Sequence, residues 1–191
     1  MAHKLELHQK VAIWALAQTG KKIGRGECWD FAEAALKQAG AQSSVDLGPV
    51  GDDTDYVWGD PVALKDVIAG DFLQFRDFVV TTRTVTEMTF KDGSGDIETK
   101  EVTLERPHHT AIVAAVLGAG AFQIFEQNVQ PQGKVVQRQR LQTSNTLPIS
   151  TRSHKAVKDA SGKFVQAEVV STVSVSVAGQ VWAYRAKPRG P

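Results

Sequence analysis

The chain of 191 residues carries 22 Lys and Arg against 21 Asp and Glu, with 42% hydrophobic and 23% charged residues. Those figures describe an ordinary globular protein, long enough for one well-buried core and short for two domains. A net charge of +1 argues against nucleic acid or an anionic membrane as the main partner, and a single cysteine excludes an internal disulfide framework or a multi-thiolate metal site.

Residues Met1 to His8 mix charges with apolar side chains and lack the apolar stretch of roughly 7–15 residues that marks a signal peptide. No segment approaches the ~20 apolar residues of a membrane span, so membrane insertion is not expected. Leu7, Val11, Trp14 and Ala15 recur at helical spacing and Thr19-Gly20 stops them, which predicts a packing helix over 7–18. A second helix is predicted from Cys28 to Gln38, with Phe31, Ala32, Ala35 and Ala39 on one face and Gly40 just past its end. Residues 41–60, rich in Gly, Asp, Ser and Pro, read as a long loop with at most one short helical turn. Within it, Tyr56 and Trp58 stand either as an aromatic wall for a ligand or as plugs onto the core. A turn around Gly70 precedes a strand over 72–75. Two Thr- and Val-rich runs, Val79 to Phe90 and Ile97 to Leu104, flank Lys91-Asp92-Gly93-Ser94-Gly95-Asp96 and predict a β-hairpin. Strands follow over 109–116 and 122–129, around Leu117-Gly118-Ala119-Gly120. Val135 to Leu141 reads as a strand, 144–162 as irregular polar chain, 164–177 as one or two strands and 181–185 as a last strand. Helices first and antiparallel strands afterwards predict an α+β domain.

The chemistry centres on Gly24-Arg25-Gly26-Glu27-Cys28-Trp29-Asp30-Phe31, where a glycine-rich turn gives way to helix. A thiol at a helix N-terminus feels the positive end of the peptide dipoles, which favours the thiolate. Asp30 sits in the same first turn, where a carboxylate is favoured by the dipole and has a structural role. In His108-His109-Thr110-Ala111-Ile112-Val113, period-two geometry places His109 with Ala111 and Val113, and His108 with Thr110 and Ile112. Only one of the two histidines can therefore face the cysteine helix. In Phe122-Gln123-Ile124-Phe125-Glu126-Gln127-Asn128, Glu126 and Asn128 share a face, and either could accept the imidazole Nδ1 proton and fix the ring. Cysteine, histidine and an orienting polar residue are the parts of a thiol hydrolase. The bland alternatives are a small buried hydrophobe for Cys28, ordinary strand residues for the histidines and solvated strand-end residues for Glu126 and Asn128.

Gly26-Glu27-Cys28-Trp29-Asp30-Phe31, then His-His-Thr-Ala-Ile-Val, then Phe-Glu-Gln-Asn resemble the three signature blocks of the CHAP domain, within the NlpC/P60-type papain-like superfamily. Ala69-Gly70-Asp71-Phe72-Leu73-Gln74-Phe75 resembles that family's strand entry, and Trp182-Ala183-Tyr184-Arg185 its closing strand. The resemblance implies N-terminal helices packed on an antiparallel β-sheet. It further implies one hydrolase domain over 1–191, and a cysteine peptidase or amidase cutting amide bonds in bacterial peptidoglycan. By it, Cys28 is the nucleophile, His109 the base, and Glu126 or Asn128 the third member, with no metal and no cofactor. The expected molecule is a monomer that works on peptidoglycan peptide and, lacking a leader, reaches the wall with a delivery or immunity partner, as a secretion-system effector or phage-associated lysin does.

The chain departs from that pattern at His108, where the family commonly has glycine, and in two additions, about 79–105 and 141–177. These could wall a substrate groove or dock a partner. They leave open a different amide or ester substrate, and a domain that binds in its cleft without turnover.

Overall fold

A computed structural model describes residues 5–51, 53–118, 120–159 and 161–190; Met1 to Lys4 and the Ala119 of the predicted turn lie outside them. Helix α1 (Leu7–Ala17) buries Val11 and Ala15 and is packed on α2 (Cys28–Ala39), with Trp14 stacked on Phe31 at 5.8 Å between ring centroids. The apolar stripe of α2 is fully used: Phe31, Ala32, Ala35, Leu36 and Ala39 are all buried. Gly40 ends the helix in the left-handed conformation at φ 79°, which a side chain would oppose. The long loop holds a single helical turn, α3 (Ser44–Leu47), capped by Ser43.

The remainder is strand: β1 (Asp60–Val62), β2 (Phe72–Phe90), β3 (Gly95–Gly118), β4 (Ala121–Glu126), β5 (Gln137–Gln142), β6 (Thr146–Lys158) and β7 (Phe164–Arg185). They form an antiparallel sheet in the order β1-β7-β2-β3-β4-β5, with β6 on β7. The expected α+β class, with N-terminal helices on a sheet in a papain-like CHAP arrangement, is thereby overturned. The described chain is mostly antiparallel β, its helices being short at 11, 12 and 4 residues against strands of up to 24. The reason lies in strand length. The predicted hairpin runs do not end where the core strands begin; β2 and β3 each continue without a break through both, and β7 joins two predicted strands into one of 22 residues.

Residues 144–162, read as irregular, contain β6. Its burial is almost nil along its length, so it shows no apolar alternation, and its structure comes from an unbroken ladder with β7 from Ile149↔Val173 to Lys158↔Phe164.

The contacts divide the chain into two compact units. One comprises Met1–Phe78, Glu105–Thr143 and Ala178–Pro191; the other comprises Val79–Leu104 and Ser144–Val177. Among the described residues, the first contains every large fully buried side chain, including Trp58, Phe31, Phe72, Phe75, Phe78 and Phe122. The second is built from the far portions of β2, β3 and β7 together with β6.

Candidate active site

Cys28 opens α2, and three features of the preceding turn hold it there. Gly26 adopts φ 97°, and a Cβ on it would stand 2.7 Å from the Lys134 Cβ, so only glycine fits. Asp30 accepts hydrogen bonds from the backbone N–H of Arg25 (2.7 Å) and of Glu27 (3.3 Å), and pairs with the Arg25 guanidinium. Gln127, buried at the end of β4, accepts from Ile23 N–H (2.8 Å) and donates to the carbonyls of Ile23 (3.0 Å) and Glu27 (2.8 Å). The turn is thus pinned by local caps and by an amide about a hundred residues away in sequence.

Of the two histidines, His109 is the one at the sulfur. Its ring is buried, interacts electrostatically with the Cys28 thiol, and is stacked on Phe75. His109 Nε2 lies 3.2 Å from Glu126 Oε2, a hydrogen-bonding distance, yet the enclosed nitrogen makes no aligned hydrogen bond. The ring stands the other way round from expectation: Nε2 rather than Nδ1 faces the carboxylate. His108 points elsewhere. Its Nε2 donates to the Thr54 carbonyl at 2.7 Å, and its ring lies 5.2 Å from that of Tyr56.

Glu126 and Asn128 part company. Strand β4 ends at Glu126, and Asn128 takes φ 67°, so the alternation that would have put both on one face has already stopped. The Asn128 amide instead donates to Glu27 Oε2 at 2.6 Å, beside Lys134 Nζ on Oε1 at 2.7 Å. Glu126 remains under His109, and there it meets a residue that sequence reasoning missed. Arg106 donates to it through Nε (2.8 Å, Oε2) and Nη2 (2.6 Å, Oε1), with both side chains essentially out of solvent at 2% and 0% exposure. Nothing local marks Arg106, because strict alternation on β3 groups it with His108 and its partner is on another strand.

Burial works against every charge in this group, and the contacts outweigh it. At Cys28, burial opposes ionisation, but the His109 hydrogen bond and charge, with the backbone N–H groups of Thr110 and Trp29, bring the thiol below its ordinary value. At His109, burial disfavours the imidazolium, while Cys28 and Glu126 raise it to about 9. At Glu126, burial favours the neutral acid, while His109 and Arg106 hold it down to about 2. All three shifts run the same way, favouring a thiolate–imidazolium pair backed by a carboxylate.

Cys28 and His109 line a cleft of about 600 Å³ together with Trp29, Val50, Tyr56, Glu105, His108 and Asn128. Cys28, which is only partly buried, is among the lining residues. The 51–56 strap is fixed by Arg76, which binds Asp53 and Asp55, and by the bonds of His108 to Thr54 and of the Tyr56 hydroxyl to the Gly51 carbonyl (2.9 Å). Tyr56 lines the cleft, whereas Trp58 is wholly in the core, its indole N–H on Gln74.

The AIM3/BBC1 cysteine proteinase-fold domain family matches residues 2–145. The chain belongs to that family. The match covers most of the chain and all of the cleft residues, and it speaks for a cysteine proteinase fold at large. It does not carry the CHAP type, a bacterial source or a cell-wall substrate, which rest on the short sequence blocks alone. No curated protein and no solved structure is matched by the chain.

Proposed function

We propose that the domain is a thiol-dependent hydrolase of amide or ester bonds, with Cys28 as nucleophile, His109 as acid and base, and Glu126 as the group that orients and charges the imidazole. The single observation that carries this reading is His109 interacting with both Cys28 and Glu126, with Cys28 and His109 lining an open cleft. The thiolate attacks the carbonyl carbon, and the Cys28 backbone N–H, in the first turn of α2, faces the charge that develops on oxygen. The imidazolium gives its proton to the leaving amine or alkoxide, leaving a thioester. Neutral His109 then takes a proton from water, which attacks the thioester and frees Cys28. Asn128 serves this site at one remove, by holding Glu27 at the start of α2. We read Val79–Leu104 and Ser144–Val177 as elaborations of one hydrolase domain. Within the class of amides, peptidoglycan is the substrate that the sequence blocks favour.

The test is reactivity first and substrate second. Cys28 is expected to react with iodoacetamide at pH 7 at least about tenfold faster than free cysteine, one pKa unit of added thiolate being worth that factor. His109→Ala is expected to lose the excess. A wild-type rate equal to that of free cysteine would falsify the hydrolase and leave a binding domain. Purified sacculi, an isopeptide-linked protein and small ester substrates then separate the substrate classes, and an unchanged muropeptide profile rules out the wall.

A further inference from the structure

Building on the thiol-hydrolase reading, the geometry assigns Arg106 as a positioning residue that starts a row of groups of alternating charge, the buried Arg106, Glu126 and His109 leading to the partly buried Cys28, and so favours ionisation of the sulfur. The guanidinium holds both Glu126 oxygens in a fork, at 2.8 and 2.6 Å, and the oxygen bound by its Nε is the one 3.2 Å from His109 Nε2. The fork thus fixes which oxygen faces the ring. It also balances charge. Arg106 does not give up its proton, so with thiolate and imidazolium present the three buried groups and the partly buried Cys28 sum to zero. Without it they sum to −1 in an enclosed site, and neutrality returns by uptake of one proton on Glu126 or Cys28.

The neighbouring charges do not stand in for Arg106. On β3, Glu105 is exposed and His108 is bonded to the Thr54 carbonyl. Before α2, Arg25 pairs with Asp30, and Glu27 with Lys134 and Asn128. On β2, Arg76 is taken by Asp53 and Asp55, and just before it Asp71 is taken by Arg185. On β5, the residue opposite Glu126 is the neutral Gln137, and Arg138 lies over the Phe125 ring.

Because Cys28 is the only cysteine, the ultraviolet thiolate absorbance and the iodoacetamide rate across pH both report this one sulfur. Four proteins are compared: wild type, Arg106→Lys, Arg106→Met, and the double variant Arg106→Met with Glu126→Gln. Arg106→Met is expected to raise the thiolate midpoint and cut the rate at pH 7 about tenfold or more. Arg106→Lys keeps the charge and is expected to hold the midpoint within a few tenths of a pH unit of wild type. The double variant removes both buried charges and is expected to restore the low midpoint. A midpoint unchanged in Arg106→Met overturns the proposal, as does a double variant that titrates like an ordinary thiol. Should Arg106→Met fail to fold, the double variant and Arg106→Lys decide by the same criteria. A wild-type thiol that titrates ordinarily instead sinks the hydrolase reading itself, so the two failures are distinct.

Discussion

His109 and Glu126 titrate in opposite directions, and the consequences fall in different pH ranges. Glu126 is held down to about 2 from an ordinary 4.5, burial opposing and His109 and Arg106 prevailing. A depressed acid contributes stability that is complete above its unfolded value and lost as pH falls through its folded one. Acid destabilisation is therefore expected between about 4.5 and about 2. Glu126→Gln is expected to be less stable than wild type near pH 6 by roughly 3–5 kcal/mol, because Arg106 is left buried without its partner. That gap should close as pH is lowered, and thermal midpoints measured from pH 6 to pH 2 check it; a gap constant across the range contradicts the assignment. His109 has the opposite sign. Raised to about 9, its contribution is present below its unfolded value of 6.5 and lost as pH rises through 9. Turnover is accordingly expected to fall on the alkaline side near 9, as the leaving group loses its acid, and on the acid side as the thiolate is protonated.

At the scale of elements, the site is assembled by a helix start, the middle of β3 and the end of β4, and these differ in how readable they are. The start of α2 is legible because its causes are local: glycines at 24 and 26, an acid at 30 and an apolar stripe beginning at Phe31 all fall within a few residues of Cys28. Strand alternation says only that one of His108 and His109 can face the helix, and the choice of His109 is what the resemblance implies; in the structure His109 is the one that interacts with Cys28. The end of β4 is not legible. Alternation carries no information about where a strand stops, and one turn with positive φ sends Asn128 to Glu27 instead of His109. Arg106 is illegible for a related reason, since its partner lies 20 residues on, across a strand pair. Gln127 joins these elements. Gln127→Ala removes three hydrogen bonds to the backbone of the 23–27 turn. It is expected to cost about 1–3 kcal/mol, since a buried polar group left unpaired costs about that much, and to slow Cys28 alkylation by loosening its helix start. Chemical denaturation together with the alkylation rate tests this; loss of stability with unchanged thiol reactivity would separate Gln127 from the site.

Over the whole molecule, burial is unevenly shared. The unit with the cleft holds all the large enclosed side chains, including five phenylalanines and Trp58. In the other unit the buried apolar residues are Val80, Ala167 and Val169, and Ile97, Leu147, Ile149 and Phe164 stand in solvent. Local opening free energies follow buried apolar contacts. Backbone amides of Val79–Leu104 and Ser144–Val177 are therefore expected to exchange with deuterium faster than those of β4 and the Phe72–Phe78 part of β2. Equal protection in the two units would contradict that expectation. The same disparity explains why β6 is hidden from sequence: a strand wet on both faces has no hydrophobic rhythm to read.

Glu126, Gln127 and Asn128 are consecutive, and each serves the cysteine by a different route: through the imidazole, through the turn backbone and through the Glu27 carboxylate. All three arrive about a hundred residues after Cys28 in the order of synthesis. A growing chain therefore displays its sulfur long before anything can sharpen it, and that sulfur behaves as a plain thiol until the later segment docks. The reactivity is switched on by completion of the fold, which spares the half-made protein and its surroundings from its own chemistry.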